Sequence, residues 1–214
     1  MFSSIRALSA ICVTAFLLMG CSTRPIPELA PASSVIPPIE VSRAVVGDEF
    51  HFINRDGRKG IAKTVAVTGT HVTTHTTSKG SKTPCVWKVK RNALAPWVEW
   101  KNCGSSGSNT SKRISSSAFP LAVGSTESWD YSGTSNTGSN WSSTRDCAVE
   151  AAVKVNVPAG SFDALHIICE DTWWVRESFV RADGVLLQFL RTRKSGPQDD
   201  NTFQRLEKFV PGDA

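Results

Sequence analysis

The residues best placed to do chemistry are the cysteines, of which this 214-residue chain has six. Cys12 sits inside an apolar leader and Cys21 at its end, which leaves Cys85, Cys103, Cys147 and Cys169. Four thiols can hold a metal ion or close two disulfides in one of three connectivities. There is no C-x-x-C pair and both near spacings suit a β-hairpin, so disulfides are expected and a metal site is not. If residues 85–91 pair antiparallel with 97–103 around Asn92 to Pro96, Cys85 lies opposite Cys103, Trp87 opposite Lys101 and Arg91 opposite Trp97. A second hairpin around Pro158-Ala159-Gly160 sets Val149 opposite Cys169. Cys147 is then one rung away, and a Cys147–Cys169 bridge needs a bulge or local shift.

The other candidates are weaker. His71 and His75 would chelate on a helix, but on a strand they share a face about 13 Å apart. His51 and His166 stand alone. Glu150, Glu170 and Asp171 could pair for glycoside hydrolysis, yet read as a solvated face. No G-x-S-x-G, G-x-G-x-x-G, P-loop or H-E-x-x-H motif occurs, so a non-enzymatic protein without a cofactor is expected. The suggestive patch is aromatic and basic. In the first hairpin Trp87 faces Lys101 on one side, Lys88 faces Trp100 on the other, and Arg91 opposes Trp97. Cations beside exposed tryptophans make a platform for an envelope glycan or a protein partner.

These residues need strands to position them. Period-two runs rich in Val and Thr occur at residues 63–77, 86–91, 149–157, 165–169 and 185–191, separated by Gly, Ser, Asn and Pro. No long segment has helical periodicity. The class is therefore all-β: one curved antiparallel sheet, as a half-barrel or sandwich. Residues 104–117 and 132–144 are Gly/Ser-rich and read as mobile loops, with Trp141 of the second tucked onto its own sheet. Trp173 and Trp174 point to opposite faces of their strand, and residues 201–212 read as either a strand or a short helix. Val46-Gly47 and Val123-Gly124 each precede aromatics spaced two apart, a weak repeat that implies two half-sheets of similar construction.

The N-terminus is an address. Arg6 precedes the apolar run Ala7 to Met19, too short to span a bilayer comfortably and suited to a secretion signal. The run ends Leu18-Met19-Gly20-Cys21, which resembles the bacterial lipobox. The resemblance implies cleavage after Gly20, diacylation of the Cys21 thiol and acylation (palmitate or a similar chain) of the new amino group. Ser22 at the following position implies sorting to the outer membrane, facing the periplasm. Two or three acyl chains make a near-permanent anchor. The expected organisation is a signal peptide over 1–20, a lipidated cysteine with a Pro-rich tether over 21–40, a β domain over 41–210 and a tail over 211–214. Loss of Arg6 leaves 23 Lys+Arg against 19 Asp+Glu in the mature chain. That modest excess, in that compartment, excludes nucleic acid as a partner.

Phe119-Pro120-Leu121-Ala122-Val123-Gly124 leading to Trp129, then Val155-Asn156-Val157-Pro158-Ala159-Gly160-Ser161-Phe162-Asp163-Ala164, resembles a "pLxVG…W" and "VxVPAGxFxA" pattern of bacterial periplasmic lipoproteins. The resemblance covers roughly residues 44–193 and implies a curved antiparallel sheet, with no activity attached. The expected function is a non-enzymatic, lipid-anchored binding or structural module of the envelope. The alternatives are a lipid or lipoprotein carrier, marked by a deep apolar cavity, and a periplasmic hydrolase, marked by titratable groups converging in a cleft.

Overall fold

A computed structural model describes residues 29–39, 43–78, 80–92, 94–116, 120–196 and 201–213. The signal peptide, Cys21 and Phe119 lie outside them. Twelve strands follow one another as antiparallel neighbours: β1 (Glu49–Asn54), β2 (Lys59–Val67), β3 (His71–Ser78), β4 (Cys85–Lys90), β5 (Glu99–Lys101), β6 (Gly107–Ser116), β7 (Thr126–Ser135), β8 (Asn140–Val157), β9 (Gly160–Glu170), β10 (Trp174–Arg181), β11 (Leu186–Arg193) and β12 (Thr202–Val210). β1 then pairs with β12, from Glu49↔Val210 to Asn54↔Gln204, and the sheet closes into a barrel.

The fold is all-β, but the open half-barrel or sandwich is corrected by that closure. An open meander would leave β1 and β12 as long unpaired edges, and closure removes both. Two readings hid it. The Gly/Ser-rich segments are not loops: they form β6, the end of β7 and the start of β8, with Thr110, Ser132 and Ser142 in one cross-strand row. The C-terminal segment is strand β12, which supplies the closing partner.

Residues directly opposite one another in antiparallel strands share a face, so the register separates inside from outside. One row runs Glu127, Cys147, Cys169, Arg176, Arg191, Thr202 across β7 to β12. Others run Phe50, Ala62, Thr76, Cys85 across β1 to β4, and Arg113, Trp129, Arg145 across β6 to β8. These rows line the lumen, and Glu127, Cys147, Cys169, Trp129 and Arg145 among them are buried. The opposite face carries Lys88, Glu99 and Ser108, and Lys112, Asp130 and Thr144. A transmembrane barrel shows lipid an apolar band; this outer face is polar.

The Val-Gly repeat is structural. Gly47 and Gly124 both adopt left-handed backbone, φ 97° and 88°. Gly47 N–H donates to Thr64 O and Thr64 N–H returns a bond to Asp48 O, while Gly124 N–H donates to Val149 O and Val149 N–H returns one to Ser125 O, all at 2.9 Å. Asp48 Oδ2 and Ser125 Oγ cap Val45 and Ala122 N–H in the same way. Each contact sits at a bulge, Val65 in β2 and Glu150 in β8. The barrel is thus two six-stranded halves of common construction, β1–β6 and β7–β12.

Twelve strands enclose more than wall side chains of ordinary size can fill. The loop between β4 and β5 turns inward: Leu94 is 1% exposed, and Ala95 and Pro96 are also buried. Leu94 packs with Val149, Ile167 and the Cys147–Cys169 pair. The β8–β9 hairpin bends at its bulge, and Ala159 N–H bonds Leu206 O on non-adjacent β12. Val153, Val155 and Val157 there build a second apolar cluster with Phe50, Leu187, Leu206 and Phe209. The described part of the Pro-rich segment runs along β8. Ala32 N–H donates to Ala152 O, Lys154 N–H to Ala30 O, and Asp163 accepts from Ser33 N–H and from the N–H and hydroxyl of Ser34.

Candidate functional site

Two disulfides tie the barrel. Cys147 stands directly opposite Cys169: the hairpin turns on Pro158-Ala159 with Val157 opposite Gly160, one residue off the register read from sequence, and the Glu150 bulge shifts it by one more. Cys85 bonds Cys103, although the strands between them do not have the register read from sequence. Trp87 faces Trp100, Val86 faces Lys101 and Lys88 faces Glu99. Asn102, at φ 59°, turns the chain back so that Cys103 still reaches Cys85.

That one-residue slip dismantles the exposed platform, since a shift of one sends each side chain to the other face. Trp87 and Trp97 meet inside the barrel, edge to face, with ring centroids 4.6 Å apart. Trp100 packs 5.7 Å from Trp141. The two rings lie over Gly107 and Gly133, where a Cβ would strike them. Lys88 and Lys101 stay on the outer face, Lys101 paired with Glu99 at 2.5 Å, and Arg91 is half-buried where the loop turns inward. The six residues therefore form no common surface. Trp174 is also luminal, under Arg191 and Arg193.

The lumen has a charged part and an apolar part. In the charged part Asp171 is fully buried, not solvated. Its Oδ2 accepts from the Tyr131 hydroxyl at 2.7 Å and Arg176 Nη1 at 2.5 Å, with Arg145 Nη2 3.9 Å away. Its Oδ1 accepts from Trp173 and Trp174 N–H at 2.9 Å each. Burial alone would raise the Asp171 pKa, but Arg176, Tyr131 and the Trp173 amide hold it below the usual carboxylate range. Burial, then Arg176, pushes Arg145 down to about 10. Burial and Asp171 raise Tyr131. Arg145 Nη1 also donates to Ala95 O of the inserted loop at 3.4 Å. Nearby, buried Glu127 accepts from Asn92 Nδ2 at 2.7 Å and pairs with Arg113 at 2.8 Å. Lys90 and Arg113 both lie over the Trp129 ring. Every luminal carboxylate here is engaged structurally. Glu150, Glu170 and Asp171 line one open surface depression over β7 to β9, where Glu170 pairs with Lys194 and Asp171 with Arg176.

The apolar part is a cavity of about 470 Å³. Its wall comes from six consecutive strands, β11, β12 and β1 to β4, through Leu187, Phe189, Leu206, Phe50, Phe52, Thr74 and Trp87 among others. Trp97 of the inserted loop and Arg191 of β11 meet across the lumen, 5.9 Å from guanidinium carbon to ring centroid. Leu186, 39% exposed, stands at its edge. The volume lies within the range of small-molecule sites, about 300–1,000 Å³. Sequence patterning missed this site because its residues come from strands far apart in the chain and become neighbours only on closure.

His71 and His75 lie on the outer face of β3, in register with Lys90 and Val86. His166 stacks on Phe179 and bonds Glu177 at 3.0 Å. Among the described residues no three His, Cys, Asp or Glu side chains converge as a metal site would require.

The chain matches no protein-family model and no curated protein. Among solved structures it is similar to a Bacteroides fragilis protein assigned to export, with a YmcC-like fold. The two are 10% identical with a TM-score of 0.45, over 81% of this chain and 100% of the other.

Proposed function

We propose that this protein is a lipid-anchored module of the cell envelope, held at the outer membrane facing the periplasm, that takes a small ligand into its barrel and does not transform it. The aromatic-walled cavity carries the reading. It replaces the flat platform and favours the carrier-like alternative, because the tryptophans that would have formed a surface line a concavity. The lipobox-like Leu18-Met19-Gly20-Cys21 supports the anchor. Two disulfides suit an oxidising compartment, and the polar outer face suits an aqueous one. Among the described residues, the luminal carboxylates Glu127 and Asp171 are held in structural ion pairs with Arg113 and Arg176.

Two experiments test this. Cys21→Ala should move the protein from the membrane fraction to the soluble one, and continued membrane retention refutes the anchor. An environment-sensitive naphthylamine probe should bind the wild type and lose binding in Ala62→Trp and Thr74→Phe, which fill the cavity from β2 and β3. Thr73→Phe on the outer face should leave it intact. Equal binding by all four proteins, each with native circular dichroism, overturns the luminal site.

A further inference from the structure

The two ends of the barrel differ. Because the strands alternate in direction, the β2–β3, β4–β5, β6–β7, β8–β9 and β10–β11 connections lie at one end, together with the residues that lead into β1. The other six connections, residues 55–58, 79–84, 102–106, 136–139, 171–173 and 194–201, lie at the opposite end and contain no Val, Ile, Leu, Met or Phe. Trp173, their one aromatic residue, is half-buried. Among the described residues the exposed large hydrophobics are Val35, Val46, Ile114, Val123 and Leu186, and all five belong to the first end. Val46 and Val123, 51% and 55% exposed, hold the same position in the Val-Gly turns ahead of β1 and β7. Leu186 opens β11, Ile114 lies near the end of β6, and Val35 follows Ser33 and Ser34, whose amides Asp163 holds near the start of β9. Apolar residues scattered singly over a surface are ordinary, but a set confined to one end marks a contact. These stand around the rim rather than down one wall, so a flat partner laid on that end meets them together.

The N-terminal segment arrives at the same end. Leu29 packs on the cluster of Val153, Val155 and Val157, while Ile39 is 5% exposed and exchanges two backbone bonds of 2.9 Å with Leu121. The segment is antiparallel to β8, with Pro31 opposite Val153 and Ala30 O accepting from Lys154 N–H, so Leu29 lies on the side of the β8–β9 turn. Residues 22–28 separate it from Cys21, and even fully extended that connection spans about 29 Å at most. By contrast, about 50 Å of strand runs from Val155 to Asn140 at the opposite end.

We infer that this end of the barrel rests on the bilayer that carries Cys21, with Val46, Val123 and Leu186 set among the lipid headgroups and the first acyl methylenes. The inference rests on the lipid anchor proposed above. Apolar side chains leave water at such an interface, and a short tether that already holds the domain within reach lets a few contacts suffice, because the second binding event is intramolecular. Leu186 also edges the cavity, so docking sets the cavity's rim on the lipid surface.

The test uses a chain beginning at Cys21, which retains every described residue. Its remaining cysteines are paired, Cys85 with Cys103 and Cys147 with Cys169, so the Cys21 thiol alone couples to a maleimide phospholipid in vesicles of phosphatidylethanolamine and phosphatidylglycerol. The control carries a soluble maleimide instead. On vesicles, amide hydrogen exchange at residues 45–48, 121–125 and 184–186 should slow tenfold or more, and exchange at 56–58 and 136–139 should not change. Val46→Ser with Val123→Ser should remove the slowing. Equal exchange at the two ends, slowing at the opposite end, or slowing that survives in the double variant overturns the inference. Should the double variant not fold, the wild-type comparison decides by itself. Membrane retention of Cys21→Ala would remove the natural anchor alone, whereas the chemically coupled chain reads the docking end directly, so the two failures are distinct.

Discussion

Asp171 is the strongest point at which to perturb the barrel. Arg145 and Arg176 share this one carboxylate, and Arg145 is 6% exposed. Asp171→Asn keeps the shape and an Oδ1 acceptor for the Trp173 and Trp174 amides, and removes only the charge. Two guanidiniums then face each other in a desolvated site, and breaking a buried pair from one side costs about 3–5 kcal/mol. Asp171→Ala also strands the two amides, adding about 1–2 kcal/mol after allowance for their partial exposure. Relief should come from removing the second charge: Asp171→Asn with Arg176→Met should be about 2 kcal/mol more stable than the sum of the single losses. Urea titration with a constant m value measures the wild type and the four variants, Arg176→Met alone included. The pH dependence has a definite sign. Because the folded Asp171 pKa is depressed, its contribution is complete above the unfolded value near 3.9 and is lost as pH falls through the lower, folded one. Asp171→Asn should therefore flatten the acid limb of the stability curve. A cost below about 1 kcal/mol, or strict additivity in the double variant, would refute the shared-counterion argument.

Gly133→Ala should destabilise the barrel by about 1–3 kcal/mol, since its Cβ meets the Trp141 ring, Asn109 Oδ1 and the Ser108 carbonyl. Gly69→Ala, with open space and ordinary backbone, should be neutral or slightly stabilising; equal melting temperatures for the two would contradict the packing account. Chain entropy gives each disulfide about 3 kcal/mol, from separations of 22 for Cys147–Cys169 and 18 for Cys85–Cys103. The buried pair also touches Leu94, so Cys147→Ala with Cys169→Ala should cost clearly more than Cys85→Ala with Cys103→Ala. Equal denaturation midpoints would show that Leu94 packing adds nothing.

The strands built on Val and Thr alternation were legible in the sequence, as was the Val-Gly turn that starts each half. The polar strands were not. In β6 and β7 the outward positions are Ser, Thr, Lys and Asp, and the inward ones include Gly107 and Gly133, so composition resembles a linker. What makes them strands is supplied from elsewhere: Trp100 and Trp141 lie over the glycines, and Asn109 ties Trp97 O to Trp141 Nε1. The register of β4 and β5 failed for a related reason. Counting back from the cysteines assumes regular strands up to the disulfide, whereas Asn102 breaks the strand one residue before Cys103. Closure was invisible because it depends on Phe50, Phe52, Gln204 and Leu206 meeting from opposite ends of the chain, which no local pattern records.

The common turn lets the two halves be compared position by position, and the comparison explains why the vacancy lies where it does. Counting from Gly47 and Gly124, Phe50 corresponds to Glu127 and Phe52 to Trp129; across the next strand Gly60 corresponds to Arg145. The second half thus places Glu127 and Arg145 on the wall where the first has Phe50 and Gly60. A buried charge or polar group left without partners costs several kcal/mol. The charged wall therefore requires filling, and the inserted loop supplies Asn92 Nδ2 to Glu127 and Ala95 O to Arg145. An apolar wall makes no such demand and can stand open. Placing charge in one half and aromatic rings in the other divides the barrel's work: the charged half commits its own loop to stability, and the apolar half is free to admit something else.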